Sequence, residues 1–139
     1  MAARKRPTMR VDRDEWRKYE RTGRSLLDAA VTLAEYSEEG HGNALGILVV
    51  HAAIAYADAL CIHAAGCKSK SGEHAEVADL LEQVVPDVPE KALKGLRAVI
   101  AEKDRVSYTG EFYTLEEGKR MLKRLSSFVQ WAREHLGVI

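Results

Sequence analysis

An apolar stretch, ALGILVVHAAIAYADALCIHAAG at residues 44–66, constrains the fold more than any other part of the chain. It is apolar on nearly every face, which is typical of a helix enclosed by other helices. Its length approaches that of a membrane span, but it carries His51, Asp58 and His63 and consists mostly of small residues. We therefore expect the buried central helix of a bundle, closed by Gly66, and no contact with a membrane.

Further helices are predicted from hydrophobic residues at spacings of three and four and from the residues that punctuate them. The third helix is expected to begin at a cap formed by Ser71, and the fourth to run from Pro89 to Val106. No strand pattern competes with these helices. The sequence therefore predicts an all-α, up-and-down bundle of about five helices over residues 13–139, preceded by a basic flexible tail at residues 1–12.

The last helix is expected to begin at a capping box formed by Thr114 and Glu117. Its main apolar stripe has Leu122 at the middle. A second stripe lies beside the first and consists of Met121, Phe128 and Trp131. Two explanations remain open: the bundle covers this helix on both sides, or the second stripe is a homodimer interface, where aromatic residues and Met are enriched.

The overall charge and the cysteine content exclude several classes of protein. The 139 residues contain 21 Lys and Arg against 21 Asp and Glu, so no global field attracts nucleic acid or a membrane. The two cysteines lie in or beside an apolar segment, which fits a reducing cytoplasm. We predict no metal and no cofactor. Residues 51, 61 and 63 point in different directions on a helix, and the spacing of the two cysteines is not that of a zinc site. The candidate ligands considered are His51, Cys61, His63, Cys67 and His74.

Two charged residues fall on helix faces that should be apolar. Asp58 lies in the central helix, and Lys103 is in register with the inward residues of the fourth helix. One interpretation is an interior ion pair of Asp58 with Lys103 or with neighbouring Arg105. The other is that Lys103 extends outward, while Asp58 bonds to the hydroxyl of Ser107 or of Tyr56 on a neighbouring subunit.

Several segments together resemble the HEPN superfamily of small all-α bundles. They are the Ala-rich helix HAAIAYADALC, the helix SGEHAEVADLL, the stretch KDRVSYTGE and the closing FVQWAREHL, and the resemblance covers roughly residues 13–137. Members of this family are typically homodimeric, often bacterial or archaeal, and frequently encoded beside a minimal nucleotidyltransferase antitoxin. The resemblance therefore implies a homodimer with a partner of this kind.

Active members of the family are metal-independent endoribonucleases with an Arg four to six residues before a His at the dimer cleft. The chemistry needs a cation to hold the phosphate and an imidazole to transfer protons. Arg105 matches the Arg, but residues 109–111, where the His should fall, are Thr, Gly and Glu. The stretch thus resembles a catalytic segment without its general base, with Tyr108 and His74 as the remaining candidates for catalysis.

The sequence therefore favours a cytoplasmic, non-catalytic, dimeric HEPN-like binding module of a toxin-antitoxin or defence system over an enzyme. The partner is expected to be a nucleotidyltransferase-type antitoxin, another protein or an RNA. The expected binding residues are Lys103, Arg105, Asp58 and Tyr108, joined for RNA by the basic tail at residues 4–6. The alternative is a metal-independent endoribonuclease toxin with a rearranged active site around Arg105 and Tyr108.

Overall fold

The computed structural model describes residues 8–70 and 75–138, which contain six α-helices, two short 3-10 helices (Arg13–Glu15 and Glu39–His41) and one pair of short strands. The helices are α1 (Trp16–Tyr36), α2 (Gly42–Ala65), α3 (Ala75–Val84), α4 (Glu90–Ile100), α5 (Lys103–Ser107) and α6 (Leu115–Leu136), and the strands are β1 (Thr8–Arg10) and β2 (Cys67–Ser69). Helix α5 has 5 residues and the others have at least 10. The predicted all-α bundle of about five helices is confirmed.

Helix α2 lies at the centre, and each of the other five helices packs against it. Its side chains are buried on every side through most of the span from Leu45 to Ile62. The helix ends at Gly66, whose positive φ of 64° lets its N–H bond to the Ile62 carbonyl at 2.9 Å. The segment Glu39–Ala65 is long and apolar enough to cross a membrane, but 78% of its most apolar window is buried inside the protein. Its apolar surface therefore serves the bundle core.

Small residues allow the elements to approach α2 closely. A Cβ at Gly46 would lie 2.6 Å from the Val106 side chain of α5, and a Cβ at Gly118 of α6 would lie 2.8 Å from Leu45. Both distances are too short for carbon atoms in contact. These two glycines therefore set how closely α5 and α6 pack on the N-terminal half of α2.

The predicted capping box at the start of α6 is confirmed. The Thr114 hydroxyl accepts a hydrogen bond from the Glu117 N–H at 3.0 Å, and the Glu117 carboxylate accepts one from the Thr114 N–H at 3.1 Å. The cap fixes both the start of α6 and the direction of the preceding loop.

The second apolar stripe of α6 is covered by the bundle itself. Met121 is 3% exposed, Phe128 is fully buried, and Trp131 is half-buried. This stripe therefore gives no support for a homodimer. The placement of Leu122 at the middle of the buried seam was wrong, because Leu122 is half-buried while Leu125 is fully buried.

Two short strands attach the segment before α1 to the end of α2. Strand β1 pairs antiparallel with β2, with Thr8 opposite Ser69, and the Val11 N–H bonds to the Gly66 carbonyl at 2.9 Å. The expectation of no strand was wrong, because three-residue strands are too short to show an alternating pattern. Residues 8–12 of the predicted tail thus contact the bundle, whereas residues 1–7 and the proposed cap at Ser71 lie outside the described residues.

The predicted fourth helix is divided into α4 and α5. Helix α4 ends at Ile100, and the Glu102 N–H bonds to the Val99 carbonyl three residues earlier instead of four, at 3.1 Å. This tightened turn redirects the chain so that Val106 packs on Gly46. No Pro or Gly marks the break, so tertiary packing accounts for it.

Replacement of Leu125 by Ala should lower the free energy of unfolding by about 3 kcal/mol, because it leaves a cavity in a fully buried site. Leu122→Ala removes the same atoms from a half-buried site and should cost roughly 1 kcal/mol. Urea denaturation of both variants measures the two losses. Equal losses would contradict the assignment of Leu125 to the seam.

Candidate functional site

Helix α5 and the loop that follows it carry three of the predicted site residues, Lys103, Arg105 and Tyr108. Asn43 of α2 holds this region in place: its Nδ2 donates to the Val106 carbonyl at 3.1 Å and to the Glu111 carbonyl at 3.0 Å. Its Oδ1 accepts from the Tyr113 N–H at 2.9 Å. One side chain thus fixes α5 and the loop at residues 108–114 to the start of α2.

Arg105 is surrounded by carboxylates. Its guanidinium donates to Glu111 and, at 3.1 Å, to Glu117, and Glu102 lies 3.8 Å away. It also lies over the Tyr113 ring, 4.9 Å from the centroid. The hydrogen bonds that Arg105 donates to Glu111 and, second in effect, to Glu117 raise the Arg105 pKa above its ordinary value. The cation predicted to hold a phosphate is therefore already engaged within the chain.

Lys103 has a different environment, although it lies only two residues away. The residue is 8% exposed, which confirms its predicted inward position. Its ammonium lies 3.4 Å from the Tyr108 hydroxyl and 5.1 Å from the centroid of that ring. It makes no ion pair with any residue in the described ranges, and Tyr108 itself is 71% exposed. Lys103 is thus a largely buried cation whose ammonium contacts the phenol of an exposed tyrosine.

His51 joins this region and was not among the predicted site residues. It is exposed in part on α2, and its pKa is lowered, first by partial burial and then by the charge of Lys103. A neutral imidazole, an ammonium and a phenol can together bind an oxyanion and exchange a proton with it. No sequence signal identified His51, because the effect of the Lys103 charge on it depends on how α5 packs against α2.

Asp58 is not part of this region, and its predicted pairing with Lys103 or Arg105 was wrong. Its carboxylate lies 3.6 Å from the Lys68 ammonium, while its Oδ1 has no partner among the described residues. The alternative partner Tyr56 was also wrong, because its hydroxyl donates to Glu20 of the same chain at 3.0 Å. Asp58 faces β2, where Lys68 is the nearest cation.

Burial controls the ionisation of the groups around Asp58. It raises the Asp58 pKa to about 6, although the nearby Lys68 acts in the opposite direction. Burial, and then the charge of Asp58, also raises the pKa of Cys61 above its ordinary value, so this thiol stays protonated. In residues 8–70 and 75–138 no cluster of three or more His, Cys, Asp or Glu could hold a metal ion. His74, a candidate for catalysis, lies outside the described residues.

The raised pKa of Asp58 predicts a specific dependence of stability on pH. Between pH 4 and 6 the folded protein keeps a proton that the unfolded chain has lost, so stability falls as the pH rises through about 6. A shift from 3.8 to about 6 corresponds to about 3 kcal/mol. Asp58→Asn cannot ionise, so its stability relative to wild type should increase by up to that amount from pH 4 to pH 7.

Urea denaturation of both proteins across this pH range measures the difference. The other titrating groups are shared and cancel in the comparison. A difference that stays constant with pH would show that Asp58 is charged at all these pH values.

Comparisons with protein-family models, with curated proteins and with solved structures found no match to this chain. The HEPN resemblance therefore stays a prediction.

Proposed function

We propose that this protein is a cytoplasmic, non-catalytic HEPN-like binding module that forms a homodimer and contacts a protein or RNA partner. A nucleotidyltransferase-type antitoxin, in a toxin-antitoxin or defence system, is the proposed protein partner. The observation that carries the proposal is the enclosure of Arg105 by Glu102, Glu111 and Glu117.

The enclosure of Arg105 opposes catalysis on a phosphate. An approaching phosphodiester would have to displace at least two hydrogen-bonded carboxylates and would meet their negative charge. Transition-state stabilisation requires a cation that is oriented and free when charge develops. Arg105 instead ties the loop at residues 108–114 to the start of α6, so its role in this proposal is structural.

Exposed apolar side chains flank the contact between α2 and α5. Ile47 is 36%, Tyr108 71% and Phe112 60% exposed, and His51 lies one turn after Ile47. We call these four residues the α2–α5 face. Aromatic residues are enriched in interfaces, and α2 is otherwise almost wholly buried. This face is the proposed surface for the homodimer, with two copies meeting through the same residues.

An endoribonuclease with a rearranged site is the second candidate function. The observation that favours it is the effect of the Lys103 charge on the His51 pKa, since a neutral imidazole could accept a proton while the ammonium holds a phosphate. In this alternative His51 and Lys103 replace the missing His and the engaged Arg105. Tyr108 would provide a ring for base stacking.

Stability and RNA cleavage of the same proteins separate the two functions. Wild type should not cleave single-stranded RNA in the presence of a chelator. Arg105→Ala should melt several degrees lower, because Glu111 and Glu117 lose the cation that joins them. The control is Arg21→Ala, which removes an exposed arginine that forms no ion pair in the described part of the chain and should leave the melting temperature unchanged.

Metal-independent cleavage that disappears in His51→Ala at an unchanged melting temperature would establish the endoribonuclease function and contradict the binding module.

Analytical sedimentation tests the dimer. Wild type should sediment at about twice the 15.5 kDa of the chain at micromolar concentration. Ile47→Asp should sediment as a monomer, because a charge replaces an exposed apolar side chain of the α2–α5 face. Val31→Asp makes the same kind of change at a 47% exposed residue of α1 and should remain dimeric. A monomeric wild type would remove the dimer from the proposal.

A further inference from the structure

A long groove lies between α1 and α6, away from the α2–α5 face. Both helices pack mainly on α2 and touch each other little, so a channel of about 670 Å³ stays open between them. Its apolar lining comes from Leu27 and Val31 of α1 and from Leu122 and Val129 of α6. We call it the α1–α6 groove. Its size is within the range of specific binding sites.

The groove has the length and pattern of a site for a helix. Its lining on α6 extends from Lys119 to Glu134, which is about 22 Å at a rise of 1.5 Å per residue. The lining residues of α6 recur at spacings of three and four along this length. An amphipathic helix of about 16 residues, with its own apolar residues at those spacings, matches such a groove better than a compact small molecule does.

The rim of the groove is mainly positive. Lys119, Lys123 and Arg133 line it against one acidic residue, Glu134. Neither lysine forms an ion pair with another residue in the part of the chain that the structure describes, and both are exposed. The groove therefore combines an apolar floor with free cations, which is complementary to a helix that carries acidic residues beside its apolar stripe.

A second copy of this chain does not fit the groove. Two copies joined groove to groove would each present a net positive rim to the other, and like charges across an interface oppose association. Among the described helices, α3 has the required character, with Glu76, Asp79 and Glu82 beside an apolar stripe. However, its stripe is buried in its own core, and two of its acidic residues bind Arg97.

We propose that the α1–α6 groove binds an acidic amphipathic helix of a partner protein. The inference deepens the proposed binding role by naming the surface and the chemistry of the protein partner. It does not depend on the homodimer, because the α2–α5 face shares none of its lining residues.

Two designed peptides of about 16 residues test the inference. Both carry Leu at the spacings of the groove, and one has Glu while the other has Lys at the flanking positions. Fluorescence anisotropy with the full chain should show the acidic peptide binding at least about tenfold more tightly, since several rim ion pairs of modest strength add up. Added salt should weaken this preference.

Charge reversal on the rim supplies the matched comparison. The double variant Lys119→Glu, Lys123→Glu should lose the preference for the acidic peptide and bind the basic one more tightly. The control, Lys91→Glu with Lys94→Glu, makes the same change in net charge at exposed positions of α4 and should behave as wild type. Melting temperatures of both variants establish that each is folded.

Three results would overturn the inference. They are equal binding of both peptides, binding of neither, and a dimer that Val31→Asp dissociates, since that dimer would place a second copy in the groove. The Ile47→Asp variant, which is expected to be monomeric, separates the test of the groove from the test of the homodimer. If the wild type is monomeric and binds the acidic peptide, the groove is supported and the proposed homodimer is contradicted. If it is dimeric and binds neither peptide, the homodimer is supported and the groove is contradicted.

Discussion

The burial of α2 on nearly every side is the constraint on which the rest of the structure depends. A helix without a polar face can be stable in water only if other elements cover it. Helices α1 and α6 cover it from two directions, while Gly46 and Gly118 let α5 and α6 approach its N-terminal half. Because α1 and α6 each pack along α2 and touch each other little, the α1–α6 groove stays open between them. The central helix therefore determines both the core and the main surface groove.

Two buried carboxylates, Glu20 of α1 and Asp58 of α2, differ in the hydrogen bonds that they accept. Glu20 is 4% exposed and accepts hydrogen bonds from the Tyr56 hydroxyl at 3.0 Å and from Arg24 at 2.7 Å. Asp58 is 6% exposed, yet its cation lies at 3.6 Å and one of its oxygens has no partner among the described residues. Hydrogen bonds to a carboxylate favour its charged form, and burial without them favours the protonated form. Similar burial therefore leaves Asp58 with a pKa raised to about 6.

The helices could be predicted from the sequence because their signals are local. The capping box of Thr114 and the terminal Gly66 depend on residues within one turn. Lys103 could be placed inward because its register with Val106, three residues later in the same helix, is also local. Its partner could not be predicted, because contacts between helices depend on how α5 is redirected after α4. The same reason explains why His51 was missed and why Asp58 pairs with Lys68 of a three-residue strand.

The contrast between Arg105 and Lys103 decides how the KDRVSYTGE stretch can act. A sequence motif gives the identity of a side chain, whereas binding of an anion depends on the charge that remains unneutralised. Arg105 stands where the HEPN resemblance expects a catalytic cation, but Glu102, Glu111 and Glu117 neutralise it. Lys103 forms no ion pair within the described ranges and lies beside exposed Tyr108. Lys103 is therefore the cation of this stretch whose charge has no carboxylate partner among the described residues, while Arg105 keeps the loop and α6 in place.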